Sequence, residues 1–190
     1  MRLWLPPKQR QRWGDSQILP SSSLGQIFFD LFFVAGAINL GELLKTSTSR
    51  QGLFYFIGAT FSISMVWFDK MHYDARFTTR PFHDAYHRVL DVVQVGLVAT
   101  ALSRVRSTSI LSNPCEQADM FQFTISLFLN QIVMMGRYLE VAHFVIGDPG
   151  ARVAAIRDMQ WRLVPTLLFL GASVESAYAY FHFRHDIDNC

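Results

Sequence analysis

The feature that most constrains this chain is the 15-residue run Phe121–Met135, which contains no Asp, Glu, Lys or Arg. A helix on the surface of a soluble bundle turns a charged or polar face to water at every turn or two. A helix in a bilayer core instead needs roughly 20 mostly apolar residues. Five stretches meet that need: 24–44, 52–71, 86–105, 120–145 and 161–183. The pattern predicts an all-α fold, a polytopic membrane helix bundle of about five transmembrane helices. It occupies residues 24–183, after a basic arm at 1–23 and before a short tail at 184–190.

Composition agrees. Charged residues make up 17% of the chain and hydrophobic residues 51%, whereas an ordinary soluble domain carries about 25% charged residues. Such hydrophobicity excludes a disordered chain. Two Cys exclude a disulfide scaffold, and a net charge of +2, not gathered on one stripe, excludes a nucleic-acid footprint. The partner read from composition is the lipid bilayer, with self-association as a further expectation.

Local signals set the helix starts. Ser23-Leu24-Gly25-Gln26 and Thr48-Ser49-Arg50-Gln51 have the form of capping boxes. Asn113-Pro114-Cys115-Glu116 offers an Asn cap, a Pro at the first helical position and an acid in the first turn. A helix can also begin near Pro149, which makes 151–160 an interfacial lead-in to the fifth span. Ala35-Gly36-Ala37 has the form of a signal-peptide cleavage site, but Asp30 interrupts the apolar run before it, so the segment reads as an uncleaved first span.

Cations in short connections and near span ends favour the cytoplasmic side. One side collects Arg2, Lys8, Arg10, Arg12, Lys70, Arg76, Arg80, Arg88, Arg152, Arg157 and Arg162. The other has Lys45, Arg50, Arg104, Arg106 and Arg184. Eleven against five places the N-terminus in the cytoplasm and, with five spans, the C-terminus outside. Cys115 and Cys190 then both fall outside.

Ionisable residues inside a span face protein or water and are candidate functional groups. His83, His87, Asp91 and Gln94 follow i, i+4, i+8, i+11 spacing and share one helix face. Two His followed by Asp at this spacing can ligate Zn²⁺. No Cys lies nearby, and His182 and His185 fall at the opposite membrane face, so the stripe reads as a proton relay or a hydrogen-bonded helix contact. Neither a metal nor a cofactor is expected. Ser126, Asn130 and Arg137 share a face of span four, with Glu140 one turn on. Arg137 can pair with Glu140 on its own helix or with an acid of another span, Asp30, Asp91 or Glu175. The intramembrane polar set is therefore Asp30, His87, Asp91, Gln94, Asn130, Arg137 and Glu175, with Asp30 and Arg137 expected in one network. Gly171, Ser173, Ser176 and Ala177 suit close packing of span five, and Pro165 is expected to kink it.

One segment carries a resemblance. Gln26-Ile27-Phe28-Phe29-Asp30-Leu31-Phe32-Phe33-Val34 resembles the opening signature of the bacterial low temperature requirement A (LtrA) family, an acidic residue followed by an apolar residue and Phe-Phe-Asp-Leu. Trp67, Tyr73, Arg76 and Phe77 are similar to the family's Trp…Tyr…Arg-Phe stretch, as are His87-Arg88, Arg137, His143, Pro149 and Arg152. The resemblance runs from about Ser22 to Arg152. Gln26 stands where the family usually has Glu, which keeps a capping role and removes a charge. Family members are generally longer, so the resemblance implies a short or partial member. It implies a multi-pass membrane protein linked to growth in the cold and no known reaction.

No phosphate-binding Gly loop, nucleophile elbow, His-Glu-x-x-His or Cys-x-x-Cys motif occurs, so an enzyme is not expected. The polar set suggests a proton- or ion-coupled transporter or channel-like protein. The alternative is a structural or regulatory membrane protein of low-temperature or stress adaptation, in which the same residues only hold helices together.

Overall fold

A computed structural model describes residues 8–9, 24–46, 50–78, 85–105, 114–144 and 149–182. The N-terminal arm apart from Lys8 and Gln9, His83, the tail from 183 onward, and the capping residues Ser23, Thr48, Ser49 and Asn113 lie outside these residues. Among the described residues the fold is all-helical apart from one two-residue ladder. Its helices are α1 (Leu24–Thr46), α2 (Arg50–Arg76), α3 (Ala85–Arg104), α4 (Pro114–Phe144) and α5 (Pro149–His182). The ladder pairs β1 (Lys8–Gln9) antiparallel with β2 (Phe77–Thr78), Lys8 opposite Thr78 and Gln9 opposite Phe77.

The helices run from 20 to 34 residues, and each carries exposed as well as buried apolar side chains. α1 packs on α2 and α3, and α4 packs on both of those in turn, so the four close into a ring. α5 lies outside the ring and packs most extensively along α4. Cross-helix pairs fix the directions. His87, Asp91 and Gln94 of α3 meet Glu140, Arg137 and Asn130 of α4, so these two helices run antiparallel. Tyr138 and Met135 of α4 meet Arg162 and Thr166 of α5, which makes that pair antiparallel as well.

Pro165 lies within α5, which runs unbroken from Pro149 to His182 and includes the lead-in at 151–160. Ring stacking of Phe121 on Tyr180, with centroids 6.1 Å apart, joins the far ends of α4 and α5. At the same end Arg104 donates to Asp119 at 2.9 Å, linking the C-terminus of α3 to the first turns of α4.

Two apolar clusters fill the ring. The larger joins Phe29, Leu40 and Leu43 of α1, Ile63 and Val66 of α2, Val98 and Leu102 of α3, and Phe123 and Leu127 of α4. The smaller surrounds Tyr73, Phe77, Met134, Tyr138 and Val141, with Ala155 of α5 against it. Gly36 lets α1 approach α3: a Cβ there would overlap Leu102 Cδ2. The Asn39 amide adds a bond to the Leu102 carbonyl at 3.2 Å.

The exterior is apolar. Phe54 (73% exposed), Trp161 (72%), Val92 (71%), Leu168 and Ile38 all point outward. Among the described residues, two segments have the length and apolarity of a membrane span, Ile27–Lys45 with 19 residues and Gly52–Arg76 with 25. α3, α4 and α5 contain no such segment among the described residues, and Arg137, Glu140 and Arg162 among their charged side chains are turned into the bundle.

Candidate functional site

Charged side chains gather where the C-termini of α2 and α4 meet the N-terminal halves of α3 and α5. Local sequence explains the supply. The end of α2 reads Asp69-Lys70-Met71-His72-Tyr73-Asp74-Ala75-Arg76, which puts charge on every side of the last two turns. One part faces α3. Lys70 Nζ donates to Asp74 at 2.6 Å on its own helix and lies 3.4 Å from Asp91 of α3. Arg137 of α4 donates to the same Asp91 at 2.7 Å, so one carboxylate ties three helices. Arg137 is 2% exposed, and its guanidinium also lies 5.6 Å from the Tyr73 ring centre.

The other part faces α5. Arg162 reaches Asp69 at 2.8 Å and donates to the Tyr138 hydroxyl at 3.0 Å, with its guanidinium 4.3 Å over the Tyr138 ring. Gln131 donates to the same Asp69 at 2.9 Å. Arg76 pairs with Asp158 of α5. One turn nearer the helix ends along the α3–α4 seam, His87 meets Glu140 at 3.2 Å, with His87 fully buried. On the inner side of the Asp91–Arg137 bond, Gln94 donates to Asn130 at 3.5 Å, both of them buried.

Moving a charge out of water costs several kcal/mol, recovered only when partners and hydrogen bonds are well placed. Here Asp91 has two cations, and Asp69 has a guanidinium and an amide donor. The arrangement locks four helices to one another and concentrates proton-exchanging groups in one region.

The stripe His87, Asp91 and Gln94 does face α4, and Asn130 and Arg137 face it in return. His87 pairs with Glu140 rather than sharing a proton with Asp91, because the antiparallel register sets Glu140 opposite His87 and Arg137 opposite Asp91. Arg137 therefore does not pair with Glu140 on its own helix.

Asp30 is elsewhere. It accepts from Trp67 Nε1 at 3.0 Å, and Trp67 packs on Phe33 with ring centres 5.4 Å apart. This contact joins α1 to α2 and makes no bond to Arg137. Glu175 points outward from α5 and makes no contact with the charged cluster among the described residues.

The residues that carry the LtrA resemblance divide in the same way. Phe29 is buried while Phe28 and Leu31 are exposed on the apolar exterior. Asp30 and Trp67 form the α1–α2 bond. Tyr73 and Phe77 pack with Tyr138 in an aromatic cluster, with Tyr73 and Phe77 ring centres each 5.3 Å and 6.2 Å from that of Tyr138. Arg76 supplies the tie to Asp158.

Sequence reading missed Asp69, Lys70, Asp74, Gln131, Tyr138, Asp158 and Arg162 as members of the cluster. Lys70, Arg76 and Arg162 had weight only as cations near span ends. The available signal was density: four charges and a His fall within eight residues of α2, more than a topology signal requires. Comparison of the chain with protein-family models, curated proteins and solved structures finds no match.

Proposed function

We propose that the chain is a multi-pass integral membrane protein of the LtrA kind, with about five spans and a cytoplasmic N-terminus. The observation that carries this reading is the inverted distribution of polarity. Arg137, His87, Gln94, Asn130 and Gln131 are inside while Phe54, Trp161, Val92 and Leu168 are outside. In water such an exterior is a large binding or aggregation surface. In lipid it is the ordinary surface, and the charges of Arg137, Asp91 and Glu140 turn inward to find partners, whereas Glu175 of α5 faces outward.

Within that reading, the charged core serves proton- or ion-coupled transport. His87–Glu140, Asp91 and Asp69 supply exchangeable groups on three helices, and cations that change carboxylate partner can couple a proton to a helix movement. The second reading is a structural or regulatory protein of low-temperature adaptation. It is favoured by the double partnering of Asp91 and Asp69, which suits a fixed lock.

Flux into proteoliposomes under an imposed proton gradient separates the two. In the transport reading, wild type carries flux and Asp91→Asn abolishes it while the protein still inserts. No wild-type flux, with Asp91→Asn only less stable, gives the structural reading. Orientation is tested in a variant whose Cys115 and Cys190 are Ser. Lys45→Cys, at an exposed site, should react with an impermeant thiol reagent in intact cells, and Arg157→Cys should not. The reverse pattern overturns the orientation.

A further inference from the structure

We infer that the Gln94–Asn130 amide pair binds water inside the bundle and forms the inner end of a proton path, open from the charged end and closed beyond by a dry apolar plug. The inference rests on the transport reading above and specifies its route.

The first observation is an unmet pair of polar atoms. Gln94 and Asn130 are both 1% exposed. Their one mutual bond, Nε2 to Oδ1, is long at 3.5 Å. Gln94 Oε1 and Asn130 Nδ2 have no partner among the described residues. Exchanging the O and N of both amides does not remove the problem, because one acceptor and one donor still remain. A buried amide without partners costs about 1–3 kcal/mol. A water molecule donates to the Gln94 oxygen and accepts from the Asn130 nitrogen, which meets both needs.

The second observation is continuity. Gln94 lies three residues beyond Asp91 on α3, and Asn130 lies seven residues before Arg137 on α4. Arg137 Nε and Gln131 Oε1 are also buried without partners. The unmet polar atoms thus lie at two levels, Arg137 Nε beside the charged cluster and those of Gln94, Asn130 and Gln131 about two turns further toward the middle of the bundle.

The third observation is where they stop. One turn beyond Gln94 is Val98, and one turn beyond Asn130 is Leu127. With Leu102, Phe29 and Trp67 they surround a cavity of about 10 Å³. A water needs at least that volume together with two to four polar partners, and an apolar void stays dry. Hydrophobic constrictions of this kind gate by excluding water. Gly36 holds the plug closed by admitting Leu102 against α1.

The test wets the plug without reshaping it. Val98→Thr and Leu127→Asn are combined in the full chain, reconstituted into vesicles loaded with a pH-sensitive dye. Gel filtration and helix content check the fold. Proton conductance should rise by at least about tenfold over wild type, as expected when a dry constriction hydrates. Adding Gln94→Leu with Asn130→Leu should return it to the wild-type level.

No rise in the folded double variant overturns the path, and so does a rise that survives loss of the two amides. If the double variant does not fold, Val98→Thr alone is used. Its hydroxyl can bond the carbonyl one turn back, as Thr100 does to Gly96 at 2.8 Å. A conductance set by Gln94 and Asn130 in a protein whose wild type shows no coupled flux upholds the path and refutes transport. Wild-type flux with no plug effect does the reverse.

Discussion

Arg137 donates to Asp91 across 2.7 Å between α4 and α3, although Glu140 lies three residues from Arg137 on its own helix. Both ends of this bond are not equally replaceable. Without Arg137, Asp91 keeps Lys70 at 3.4 Å. Without Asp91, Lys70 keeps Asp74, but Arg137 has no other carboxylate partner among the described residues.

Asp91→Ala is therefore expected to be the more damaging change, at about 3–5 kcal/mol for a charge left buried and unpaired. Arg137→Met, which retains bulk and removes the charge, should cost less. Combining the two should recover part of the Asp91→Ala loss, since two apolar groups can replace a buried pair at little cost. Denaturation in detergent micelles measures all three. Equal single effects that simply add would show that the pair is not coupled.

The Asp30–Trp67 bond belongs to a separate contact. Trp67→Phe keeps an aromatic ring on Phe33 and removes the indole N–H that Asp30 accepts. It should cost about 1–3 kcal/mol, the penalty for a partly buried group that loses its partner. Asp30→Ala and Arg137→Ala share no partner, so their effects should add within about 0.5 kcal/mol. A larger departure would place Asp30 in the charged cluster after all.

Helix positions were legible in the sequence because each depends on a long apolar run with a break at either end. The face of α3 was legible for the same kind of reason: His87, Asp91 and Gln94 repeat with the helical period. Partner choice was not, because periodicity gives the face of one helix and says nothing of its height against another. The antiparallel register of α3 on α4 decides that His87 meets Glu140 and Asp91 meets Arg137. Asp69 and Lys70 were obscured by their place near the end of α2, where a charged side chain can reach water or turn inward. Arg162 was obscured because it reads as the start of a span, whereas α5 runs unbroken from Pro149 and carries it inside the helix opposite Asp69.

Glu175 separates charge count from charge placement. It lies in an apolar stretch of α5, yet it is exposed and outside the cluster. Glu175→Gln is expected to leave micellar stability within about 0.5 kcal/mol of wild type, as for a surface change that touches no partner. A loss comparable to that of Asp91→Ala would mean that Glu175 is bound within the fold.

Gly36 gives the sharpest packing prediction. A Cβ at this position would overlap Leu102 Cδ2 and crowd its Cδ1 and Cγ. Leu102 is itself buried between α1 and the apolar cluster, so its side chain cannot simply swing into solvent. Gly36→Ala also has an opposing effect, since Ala is the better helix former by about 1 kcal/mol. Overpacking typically costs about 1–3 kcal/mol, so the net change should be destabilising. Leu102→Ala should relieve the overlap and make Gly36→Ala neutral or stabilising in that background. Thermal unfolding of the four combinations in micelles measures the difference. A Gly36→Ala effect that is the same with Leu or Ala at position 102 would show that this contact does not set the α1–α3 distance.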